Sequence, residues 1–118
     1  MNIEDIRLWC LAKKGVTEEF PFDEVTLVFK VKGKIFLLTD LEGELSINVK
    51  CDPEKAIELR EKYLCVQPGY HMNKKHWNTI NIDGSVSNKL IKGWIDHSYE
   101  ETVKKLTCKQ KEELGYGI

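Results

Sequence analysis

Stretches in which apolar residues recur every third or fourth position alternate along this chain with stretches in which they recur every second one. Near the start, Ile3, Ile6, Trp9, Cys10 and Leu11 share a helical spacing that Asn2 can cap and Gly15 can stop. From Thr17 to Asp23, acid, aromatic and proline residues mix without a period, so this segment reads as a connecting loop anchored by Phe20 and Phe22. Three strands should follow. Val25, Leu27, Phe29 and Val31 alternate with Thr26, Val28, Lys30 and Lys32, and Lys32–Gly33 then reads as a hairpin turn. Ile35 to Thr39 is a continuous apolar run suited to a central strand. Beyond Glu42–Gly43, Leu45, Ile47 and Val49 face one way while Ser46, Asn48 and Lys50 face the other, which predicts a sheet with one buried and one wetter face.

Asp52-Pro53-Glu54 has the chemistry of a helix start: a capping carboxylate, proline in the first turn and a further acid facing the helix dipole. The helix should run to about Tyr63, with Ala56, Leu59 and Tyr63 against the sheet and Ile57 at the margin. Gln67-Pro68-Gly69 reads as a turn, and Trp77 to Ile82 alternates again before Asp83–Gly84, implying one more hairpin. From Ser87 onward, Leu90, Ile91, Trp94, Ile95, Ser98, Tyr99, Thr102, Val103 and Leu106 trace one face of a long amphipathic helix. A short helical tail from Thr107 to Leu114 follows, and Gly115 and Gly117 end regular structure. The predicted order is α, three strands, α, two strands, α: a two-layer α+β sandwich whose antiparallel sheet carries its helices on one face. That alternation is wrong for a Rossmann fold, and neither GxGxxG nor a Walker loop is present.

Composition narrows the class. The 118 residues, 42% apolar and 31% charged, suit one globular domain spanning 1–118 rather than a disordered or membrane-spanning chain. The first residues lack the basic start and apolar stretch of a signal peptide, so the expected location is the cytoplasm, with no membrane partner. Four cysteines without a CxxC pair are expected to be reduced, packed thiols, and neither a metal nor a cofactor is expected. A net charge of −1 opposes a positive field over the whole molecule, so any nucleic-acid site must be a local patch.

The stretch from Pro68 to Asn78, Pro-Gly-Tyr-His-Met-Asn-Lys-Lys-His-Trp-Asn, resembles the signature of the MmcQ/YjbR family, and Asp96-His97-Ser98-Tyr99 resembles its second signature. Phe20-Pro21-Phe22, the Phe29–Val31 and Gly33–Phe36 pair and the Lys50–Glu54 junction extend the resemblance over nearly the whole chain. It implies an α-β(3)-α-β(2)-α fold, the order that periodicity predicts independently. It also implies DNA binding, through that family's likeness to a double-wing DNA-binding domain of a phage transcription activator.

Lys74, Lys75, His76 and Trp77 could form such a site, two cations meeting phosphates while His76 or Trp77 stacks on a base. Equally, Trp77 could pack in the core and Lys74–Lys75 be a solvated loop tip. Lys30, Lys32, Lys34 and Lys50 on the strand face and hairpin would extend the patch, although singly they are ordinary surface lysines. Cys65, His71, His76 and His97 match no metal-binding spacing. Adjacent helix residues point about 100° apart, so His97 and Ser98 cannot form a nucleophile pair; Ser98 and Tyr99 are expected to fix the long helix to the sheet. With no paired carboxylates visible, an enzyme is not expected. The reading is therefore a non-enzymatic DNA-binding protein, monomer or weak homodimer. Its alternative is a protein-interaction module using the exposed sheet face, which salt would affect less.

Overall fold

A computed structural model describes residues 1–70 and 72–115. His71, within the first signature stretch, and Gly117, expected past the last regular element, lie outside the described residues. The elements described are α1 (Ile3–Leu11), β1 (Val16–Glu19), β2 (Thr26–Val31), β3 (Lys34–Asp40), β4 (Ser46–Lys50), α2 (Pro53–Lys62), β5 (Val66–Pro68), β6 (Trp77–Asn81), α3 (Asn88–Lys104) and α4 (Cys108–Glu113). All strand pairs are antiparallel, in the sheet order β1-β2-β3-β4-β6-β5. The α+β class is as periodicity predicts.

One edge strand is additional to the expected order, and the other stands where a turn is expected. The first half of the segment expected to be a loop is β1, which pairs with β2 from Val16↔Val31 to Glu19↔Val28. Its acids give no strand-like pattern because they are satisfied by other elements. Glu18 accepts two hydrogen bonds from the Arg7 guanidinium of α1, both 2.7 Å, and Glu19 forms an ion pair with Lys30 of β2. Phe20 and Phe22 do not anchor the remainder, being 48% and 64% exposed. At the other edge, the expected turn at Gln67–Pro68 is part of β5. Pro68 lacks an N–H, and an edge strand tolerates it because one side of that strand needs no ladder bond.

The hairpin turn at Lys32–Gly33 is as expected: both residues have left-handed backbone, φ 49° and 79°, as a two-residue primed turn requires. A register shift between Phe29 and Lys30 pairs Phe29 with Leu37 and Lys30 with Ile35, so that Phe36 bulges out of the ladder. Phe36 and Leu37 both enter the helix-side core as a result, where Ile6, Cys10, Phe29, Ile47, Ile80, Ile91 and Ile95 are also fully or almost fully buried. On α3, Trp94 meets the Tyr63 ring edge-on at 5.1 Å, whereas Leu90 in the first turn faces outward instead of joining the stripe.

Side chains from the second signature hold α3 in place. Ser98 Oγ donates to the Phe36 carbonyl of β3 and accepts the Lys50 N–H of β4 at 2.8 Å, while Tyr99 Oη donates to the Lys14 carbonyl at 2.6 Å. Asp96 joins α3 to α1, accepting from Trp9 Nε1 at 2.8 Å and pairing with Lys13. Among the described residues no helix is long and apolar enough to cross a membrane.

Candidate nucleic-acid interface

The sheet face opposite the helices is less wet than the alternation on β4 predicts. Val28, Leu38 and Trp77 form a second apolar cluster there, with Ile35 and Met72 packed on it. Met72 comes from the loop between β5 and β6, and α2 secures that loop. Arg60 Nε donates to Asn78 Oδ1 at 2.6 Å, and the same guanidinium donates to the Trp77 and Lys74 carbonyls. Asn78, 1% exposed, also donates to the Ala56 carbonyl at 3.3 Å. The loop closes tightly: a Cβ at Gly69 would lie 2.7 Å from Trp77 Cβ, which only glycine avoids.

This frame sorts the predicted patch. Trp77 is packed, 7% exposed, so its ring offers no open stacking surface. Lys74 Nζ donates to the Gly69 carbonyl at 3.0 Å and belongs to the loop's own structure, while Lys75 is exposed at the tip. Lys30 and Lys32 carry counter-charges, from Glu19 and from Glu113 at 2.7 Å. Lys34, Lys50, His76 and the edge of Trp77 do come together, in a cleft of about 730 Å³ at one end of the sheet. Lys104 and Lys105, at the end of α3, complete it. The sequence reading missed these two; only their position off the amphipathic stripe, between Val103 and Leu106 at its end, could have marked them, and Ser98's grip on β3 and β4 brings them here.

Four lysines in the cleft face two carboxylates, Asp52 and Glu101, giving a local excess of positive charge on a chain of net charge −1. Both carboxylates are engaged: Asp52 caps α2 through the Lys55 N–H at 3.2 Å, and Glu101 pairs with Lys104 at 2.8 Å. Lys50 lies over the Trp77 ring, 5.7 Å from its centre. Burial, followed by the charges of Lys34 and Lys105, lowers the pKa of its ammonium. Behind the cleft, His97 Nε2 accepts the Asp52 N–H at 3.1 Å, and burial, with Lys55 adding to it, lowers the imidazole's pKa against the opposing pull of Glu101. Among the described residues no three histidine, cysteine or acidic side chains gather as a metal site, and of the imagined quartet His71 lies outside them.

The fold recurs in known proteins. DR2400 of Deinococcus radiodurans, a DUF419 domain protein, superposes with a TM-score of 0.92 at 39% identity over 98% of this chain and 89% of its own. A Pseudomonas syringae protein superposes at 0.75 with 26% identity, over 86% of this chain and 99% of its own. In sequence, the uncharacterised YbdF of Escherichia coli O157:H7 is 36% identical over 83% of this chain and 81% of its own length. The uncharacterised YjbR of Escherichia coli K12 is 30% identical over 97% and 98%. The YjbR family model matches residues 11–101, a span holding every strand of the sheet, the loop that carries Met72 and most of the lysine cleft, and on that match this chain belongs to the YjbR family.

Proposed function

We propose that this chain binds nucleic acid, DNA in the first instance, through the lysine cleft, and that it acts by binding rather than by catalysis. The crowding of Lys34, Lys50 and Lys105 in one cleft carries the reading: burial first, and then the charges of Lys34 and Lys105, lower the Lys50 pKa, and an anion placed among the three would relieve their repulsion. Phosphate oxygens suit such a site because lysine meets them as a point charge without needing a fixed fork geometry. Binding is favoured over nucleophilic chemistry by the buried thiols. Burial pushes Cys10 up to about 12 and Cys51 up to about 11, so neither supplies a thiolate near neutral pH. Ser98 is likewise committed to two backbone groups.

The test is fluorescence anisotropy of labelled duplex and single-stranded DNA as salt rises, with the parent protein and with Lys34→Glu plus Lys105→Glu. The expected result is weaker binding by the variant and a shallower plot of log affinity against log salt, by about 1.8 for duplex or about 1.4 for single strands. Unaltered binding by the folded variant would remove the cleft from consideration. A parent protein that binds no DNA even at low salt would end the nucleic-acid reading. It would favour a protein partner instead, for which Phe20, Phe22 and Leu41, exposed at the far end of the sheet, are the candidate surface.

A further inference from the structure

The outer sheet face has a second concavity, of about 490 Å³, with a different chemistry from the first. Asn48 and Thr79 form its floor, Leu38 and Met72 one wall, and Tyr70, 71% exposed, its rim. Among the described residues no lysine or arginine lines it, and the charged group at its margin is the carboxylate of Asp40. An anionic group would be repelled from it. A neutral one would find an ordered hydrogen-bonding floor: Thr79 Oγ1 donates to Asn48 Oδ1 at 2.5 Å and accepts the Tyr70 N–H at 2.9 Å. With its oxygen held by Thr79, Asn48, which lines the concavity, keeps its amide N–H groups as donors.

Register ties the two concavities together. Asn48↔Thr79 lies two residues from Lys50↔Trp77 on the same pair of strands, and both pairs face outward. Two residues of antiparallel strand advance about 6.8 Å. A donor floor beside an exposed aromatic ring therefore stands about one nucleotide from the lysines, across the apolar ridge of Leu38, Met72 and Trp77. We infer that the second concavity is a nucleobase subsite, which makes the preferred ligand of the cleft single-stranded nucleic acid. A base in a duplex has its faces stacked on its neighbours and cannot lie against Tyr70, whereas an unpaired base can stack there and accept from Asn48. This inference rests on the reading that the lysine cleft binds phosphates.

Three labelled probes of equal length, the two single strands equal in charge and the duplex carrying twice as much, separate the two ideas in one anisotropy experiment at fixed salt: an abasic oligodeoxynucleotide, the same strand bearing bases, and that base-bearing strand annealed to its complement. The base-bearing single strand should bind roughly fivefold or more tightly than the abasic one, the lower end of what stacking one base supplies. Tyr70→Ala, a change at an exposed side chain, should bring it down to the abasic value, and Asn48→Ala should do the same. Lys34→Glu with Lys105→Glu should weaken all three probes. Equal affinity for abasic and base-bearing strands, or tighter binding of the duplex, would overturn the base subsite while leaving the lysine cleft standing. Failure of every probe to bind would overturn both.

Discussion

Leu37 and Leu38 are neighbours on β3, yet they belong to regions of different construction. Leu37 points to the side closed by α1 and α3, into a continuous core that runs from Ile6 to Leu114. Leu38 points to the other side, into a cluster of three buried residues roofed by Met72 from one loop. The helix side is closed by long elements whose packing is apolar, and its few polar groups serve as clasps. The outer side is closed by a loop that depends on the hydrogen bonds of Arg60 and Asn78, and it leaves concavities at both flanks. In this molecule the continuous core and the Asn48–Thr79 concavity lie on opposite faces of the same strands, which gives a binding surface a packed support.

Truncating the two leucines tests that contrast most severely. Leu37→Ala should cost about 4 kcal/mol and Leu38→Ala about 2 kcal/mol, because a loop roof can settle into the space where a helix pair cannot. Urea denaturation of both variants measures the difference, and equal losses would mean that the outer cluster is enclosed as firmly as the core.

A smaller effect is expected where the two regions are joined. Ser98→Ala deprives the part-buried Lys50 N–H of its acceptor and the buried Phe36 carbonyl of a donor, for a loss of about 1–3 kcal/mol. The same denaturation assay reads it, and unchanged stability would show that apolar packing alone seats α3.

The smallest effect is a pH dependence at the margin between the faces. His97 accepts the Asp52 N–H through a neutral nitrogen, and burial holds its pKa below the ordinary 6.5. The unfolded chain therefore takes up the proton first as pH falls. This contribution to stability is present above about 6.5 and is lost as pH drops from there through the folded value. Gln in place of His97 offers an acceptor that does not titrate, so melting temperatures of the variant between pH 5 and pH 8 should vary less with pH than the parent's. Parallel curves would assign the pH dependence to other groups.

Periodicity made most of this fold legible because the core strands and α3 are buried along one face, and burial is what hydrophobic spacing records. Val16–Glu19 was not legible: Glu18 and Glu19 look like loop residues until Arg7 and Lys30, distant in sequence or on the neighbouring strand, are seen to neutralise them. The candidate site was half legible. Counting lysines finds Lys34 and Lys50, but it cannot separate them from Lys30 and Lys32, whose counter-ions come from β1 and α4. Nor does it find Lys104 and Lys105, which reach the cleft only after α3 has docked. The resemblance to the family signatures picked out Asp96, Ser98 and Tyr99, whose hydrogen bonds place them in the framework rather than at the ligand.

The Ser98 clasp bears on how the chain acquires its shape during synthesis. The hydroxyl that joins β3 to β4 is 62 residues downstream of Phe36 and 48 downstream of Lys50, and the Asp96 link to Trp9 spans 87. A ribosome must therefore translate the β-rich first half, and also release the segment that becomes α3 from its exit tunnel, before the sheet gains its cover. Until then the inward side of β2, β3 and β4 is a greasy surface without a lid, at risk of sticking to other nascent chains. Closing such distant contacts is entropically slow, so assembly is expected to wait for the last third of the polypeptide and then proceed at once, with α1 captured by Asp96 among the late events.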